Sequence, residues 1–96
     1  MSKQEQIERF ENLVEQTKRT LDILVLKLTG VHQIISIVTK SIADTYANGL
    51  SNDDLPFENL DKAHQESKSI LSRIQSEKGL LKAYELTLKI LKEENV

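Results

Sequence analysis

Residues 7–42 read IERFENLVEQTKRTLDILVLKLTGVHQIISIVTKSI, and their apolar positions decide the fold. Ile7, Phe10, Val14, Thr17, Leu21, Leu24, Leu28, Val31, Ile35, Val38 and Ile42 follow one another in steps of three and four residues. That spacing keeps one seam on one side of a long helix. Further along, Leu60, Ala63, Ser67, Ile70, Ile74, Glu77, Leu81, Tyr84, Leu88 and Leu91 repeat the rhythm. Two helices with matching seams pack against each other, so the expectation is an all-α antiparallel helical hairpin.

The break between the arms lies in Ala47-Asn48-Gly49-Leu50-Ser51-Asn52-Asp53-Asp54-Leu55-Pro56. Asn48-Gly49 tolerates the left-handed backbone that closes a helix. Asp53 and Asp54 can accept hydrogen bonds from free N–H groups at a helix start, and Pro56 is preset for a first turn. We therefore expect one domain over residues 1–96, with helices over about 4–47 and 56–94 and a turn over about 48–55. Acid-first pairs at Glu15/Arg19, Glu58/Lys62 and Glu85/Lys89 suit exposed helix faces, at about 0.2–0.5 kcal/mol each. If the chain folds evenly about this turn, residues whose numbers add to about 107 lie level with each other.

Composition agrees with helices. The chain is 39% hydrophobic, 29% charged and 4% aromatic, and its one proline and three glycines are too few to punctuate a run of short strands. Gly30 and Gly79 both fall inside the arms, each followed by a hydrophobic residue. Glycine then hydrophobe is a common helix ending, so four shorter helices are the rival arrangement. The three-four rhythm runs through both glycines without an inserted residue, which favours continuous arms with Gly30 and Gly79 as kink or hinge positions.

The same features exclude several kinds of function. The net charge is −2 and no basic stripe is present, so nucleic acid is not the expected partner. The polar start Met1-Ser2-Lys3-Gln4-Glu5-Gln6 is not a usual signal peptide. Asp22, Lys27, His32 and Gln33 interrupt the apolar stretch from Leu21 to Val38, so no transmembrane segment is expected. The chain has no cysteine, which suits the cytoplasm. No Gly-rich phosphate loop, Ser/His/Asp set or Cys/His cluster is present, so no enzyme and no cofactor are expected. Asp61 and His64 share a helix face at the carboxylate-x-x-His spacing that metal-binding bundles use, a remote alternative that lacks further ligands. His32 has no acid, cysteine or histidine at three or four residues' distance, and Glu8, Glu11 and Glu15 read as a solvated stripe.

What remains is apolar surface. Ile23, Leu26 and Ile37 fall away from the first seam, and Leu80, Ala83 and Ile90 make an extra stripe on the second helix. A two-helix hairpin cannot bury both faces, so these six residues are the expected partner-binding positions. They suit association into a four-helix bundle, as a homodimer or with another helical protein. Thr17, Ser67 and Glu77 with Lys78 take core-like positions where polar residues can fix register or partner choice, and most of them are expected to be solvated at the wet edge of the hairpin.

In outline the hairpin resembles the small type VII secretion proteins, whose turn carries Trp-x-Gly where this chain has Ala47-Asn48-Gly49. It is similar in the same way to the needle subunits of type III secretion, which end on an apolar helix where this chain ends Lys92-Glu93-Glu94-Asn95-Val96. The resemblance implies a secretion-linked hairpin. A small phage or mobile-element regulator that binds a host protein fits the same pattern.

Overall fold

The computed structural model describes residues 2–49 and 56–94. Two helices account for nearly all of them: α1, Lys3–Ala47, and α2, Phe57–Glu93, of 45 and 37 residues. The chain is all-α, a helical hairpin. Both helices run unbroken through Gly30 and Gly79, so the arrangement of four shorter helices does not occur.

The helix ends follow local chemistry. Ser2 caps α1: its Oγ accepts a hydrogen bond from the Glu5 N–H at 3.1 Å, and its carbonyl accepts from the Gln6 N–H at 3.1 Å. This Ser-x-x-Glu start carries the serine half of a capping box, a signal that the polar opening residues concealed. At the other end Gly49 takes a left-handed φ of 71°, and its N–H reaches back to the Tyr46 carbonyl at 3.0 Å. A residue with a Cβ is strained there, which is why glycine closes the helix. The Pro56 carbonyl accepts the first hydrogen bond of α2 from the Leu60 N–H. The capping roles expected of Asp53 and Asp54 lie outside the described residues.

The chain divides into two compact units, Met1–Val25 with Arg73–Val96, and Leu26–Ser72. In the first, Lys3 meets Glu94 at 3.4 Å, Glu11 meets Lys92 at 3.6 Å, and the Phe10 and Tyr84 rings lie 6.1 Å apart at 56°. Numbers rise along one helix as they fall along the other, so the segments are antiparallel. In the second, His32 contacts Ser67. A parallel arrangement would set Ala47 and Phe57 roughly 38 Å apart at 1.5 Å per residue, beyond the reach of the chain between them.

These contacts also correct the expected register. They join residues whose numbers add to 94–103 in the first unit and to 99 in the second, below the expected 107. Within the second unit the start of α2 is therefore level with about Ile42, and the last turn of α1 extends past it. Tyr46, on the seam side of that turn, is accordingly 54% exposed. Gly30 and Gly79 fall in different units.

Burial follows the seam closely. Ile7, Leu24, Val31, Ala63, Ile70 and Ile74 are the buried hydrophobic residues, all of them seam positions. Every other seam residue is buried or half-buried. Two of the polar seam residues are buried and not wet as expected. The Thr17 hydroxyl donates to its own helix at the Leu13 carbonyl, 2.7 Å away, and Ser67 contacts His32. Their hydrogen-bonding capacity is met locally, which removes most of the cost of burying them. Glu77 remains half-buried.

Replacing Leu24, only 2% exposed, with alanine is expected to cost about 2–5 kcal/mol in urea unfolding, whereas Leu26→Ala, at a residue 72% exposed, changes stability by less than about 0.5 kcal/mol. A Cβ at Gly79 meets no atom within 4 Å, so Gly79→Ala raises stability by about 0.5–1 kcal/mol in the same assay.

Candidate interaction surface

An α-helix turns about 100° per residue. On that count Ile23, Leu26, Gly30, Ile34 and Ile37 share one face of α1, turned away from the seam. The side chains on that face are open to solvent: Ile23 is 54% exposed, Leu26 72%, Ile34 50% and Ile37 68%. Ile34 was missed in the sequence because it directly precedes the seam residue Ile35 and reads as part of the core run. On α2, Leu80, Ala83, Leu86 and Ile90 form the corresponding stripe, with Leu80, Leu86 and Ile90 all 45–59% exposed and Ala83 exposed. Leu86 belongs with the residues expected there, at the helical spacing that follows Ala83.

The α1 face is also the apolar part of the chain. An 18-residue window of α1 reaches a mean hydropathy of 1.7 with 11% of it buried, which is long and apolar enough by composition to cross a membrane. Such a stretch is ordinarily hidden in the core of a soluble helical protein. Here the seam takes one residue in three or four and leaves the rest outside.

Asp61 and His64 are both exposed, and among the described residues no three or more His, Cys, Asp or Glu side chains gather as metal ligands. The three N-terminal glutamates are engaged elsewhere: Glu8 accepts from Gln4, Glu11 pairs with Lys92, and Glu15 holds Arg19 at 2.6 Å. Glu58 pairs with Lys62 as expected, but the Glu85–Lys89 pair does not form, and Lys89 lies 4.0 Å from Glu93 instead. All of these pairs are well exposed and contribute little.

Within the first unit a shallow groove of about 540 Å³ brings Val14 and Leu88 together with Lys18, Lys89, Lys92 and two glutamates. Its charges are mixed, and neither a nucleophile nor a histidine lines it. The His32 Nε2 to Ser67 Oγ contact of 3.2 Å is a polar tie between the helices of the second unit, with the proton's position set by the histidine tautomer. Among the described residues no buried side-chain polar atom lacks a partner.

The class defined by these features is the all-α hairpin with apolar outer faces. Comparison with protein-family models, curated proteins and solved structures returns no match.

Ser67→Ala tests the tie between the helices. Because His32 is exposed and water can replace the lost partner, the expected cost is under about 1 kcal/mol in urea unfolding. A larger loss would show that the pair sets the register.

Proposed function

We propose that this chain is a non-enzymatic helical interaction protein whose outer faces are covered by other helices in a bundle, as an oligomer or as a small subunit of a complex. The observation that carries the reading is the exposure of Leu26 and Ile37, 72% and 68%, at the centre of the α1 face. Contiguous apolar patches of a few hundred Å² mark interaction sites on soluble proteins. An amphipathic helix laid along such a face makes contact at residues three, four and seven apart, the spacing of Ile23, Leu26, Gly30, Ile34 and Ile37. On α2, Leu80, Ala83 and Ile90, with Leu86, supply a second contact. Gly30 and Gly79 are the positions at which the arms bend or receive a neighbouring helix closely.

A bilayer is the rival cover for the same stretch. Asp22, Lys27, His32 and Gln33 lie within it, and each ionised side chain costs about 2.5–3.5 kcal/mol at the centre of a membrane. Protein is the better solvent for this face. A secretion-linked hairpin and a regulator that blocks a host protein are both special cases of this interaction reading.

Photo-cross-linking amino acids at positions 26 and 37, introduced in cells, are expected to give discrete protein adducts, with none from position 62. Absence of adducts at both positions, or flotation of the purified protein with phosphatidylcholine and phosphatidylglycerol vesicles, would sink the reading.

A further inference from the structure

The apolar face of α1 has an internal symmetry. Counting from Gly30, Leu26 and Ile34 lie four residues to either side, and Ile23 and Ile37 lie seven to either side. The pattern reads the same in both directions along the helix. From this geometry we infer that the face is covered by a second copy of the same chain, its α1 lying antiparallel and crossing at Gly30. The inference rests on the interaction reading above and names its partner.

A two-fold interface must be self-complementary: if residue i meets residue j of the second copy, then j must meet i. An antiparallel pair centred on Gly30 satisfies that condition for every apolar residue of the face. Ile23 lies level with Ile37 of the second copy, and Leu26 with its Ile34. The helical phase sets Leu26 and Ile34 to opposite sides of the line through Ile23, Gly30 and Ile37. The level side chains therefore interdigitate instead of colliding. The stripe on α2, Leu80, Ala83, Leu86 and Ile90, has no residue about which it repeats in this way.

Gly30 fits the crossing point. It lies inside an unbroken helix, where glycine costs up to about 1 kcal/mol against alanine. A Cβ built on it meets nothing within 4 Å, so no contact inside the chain demands its small size. The distance between packed helices depends on the side chains at their contact, and a glycine from each copy lets the backbones approach most closely.

Charge favours the same orientation. Asp22 and Lys40 share one flank of the face by helical phase. In the antiparallel pair Asp22 lies nearly level with Lys40 of the second copy, on that shared flank, and Arg19 lies about one turn from the second copy's Asp44. Two-fold symmetry makes each of these contacts twice. A parallel, in-register pair would set Asp22, Arg19 and Lys40 each beside its own like charge. The handful of apolar residues on this face is fewer than the roughly 20–30 residues a side of a standard stable interface, so the dimer exchanges with monomer.

The chain contains no cysteine, which makes cross-linking unambiguous. Under mild oxidation, an equal mixture of full-length Ile23→Cys and Ile37→Cys proteins is expected to form mixed disulfide dimers. Either protein alone stays unlinked, because its two cysteines lie about 21 Å apart at 1.5 Å per residue. In sedimentation equilibrium from low micromolar to sub-millimolar concentration, the parent chain is expected to show a reversible dimer. Gly30→Leu weakens it roughly tenfold or more without loss of helix, since a new side chain at the crossing forces the helices apart. Asp22→Lys weakens it as well, and adding Lys40→Asp restores it. Self-linking of Ile23→Cys alone, or a dimer indifferent to Gly30→Leu, overturns the antiparallel pairing. A monomer at every concentration overturns self-association; adducts to a different protein from positions 26 and 37 would then preserve the wider reading, and their absence would remove both.

Discussion

Two helices that pack only against each other can bury one line of side chains apiece, and this constraint shapes the rest of the molecule. The seam from Ile7 to Ile42 and its counterpart from Leu60 to Leu91 supply that line, with Leu24 the most deeply buried side chain. Because the buried layer is one residue wide, polar residues survive in it only where a neighbour satisfies them at once. Thr17 turns its hydroxyl onto its own helix, and Ser67 reaches His32.

How far the sequence carried the fold depends on which interactions are local. The two helices, the seam residues, the Asn48-Gly49 stop and the Glu15–Arg19 and Glu58–Lys62 pairs were legible, since each depends on residues within one or two turns. The register was not. It depends on how many residues the connection uses and in which direction they travel, and composition says nothing of either. An even fold about the turn suggested pairs adding to about 107, while the observed contacts cluster near 98 because α1 extends past the level where α2 begins. The same ignorance concealed the His32–Ser67 tie, which joins residues 35 apart. Lys89 escaped for another reason: two acids, Glu85 and Glu93, lie within reach on its own helix, and spacing alone does not choose between them.

Of the candidate surface, the exposed character of Ile23, Leu26, Ile37, Leu80, Ala83 and Ile90 was readable from helical phase. Ile34 and Leu86 were overlooked, the first because two isoleucines in succession look like one core cluster. Phase assigns them to different faces, and exposure at 50% for Ile34 agrees. What phase could not supply was height along the hairpin.

The makeup of the α1 face argues against a merely solvated surface. A helix that shows a face only to water gains from alanine, glutamate and lysine, which lose little freedom in the helical state. This face carries three β-branched isoleucines, whose side chains are restricted against the preceding turn, and a glycine, the most costly ordinary residue in a helix interior. The first half of α2 is more polar: Asp61, Lys62, Gln65, Glu66, Lys68 and Ser69 are exposed there beside Phe57 and Leu71. Both helices meet the same solvent and the same seam requirement. On α1 the outer face lowers helix stability while adding apolar area, a combination that is favourable when another helix removes that area from water.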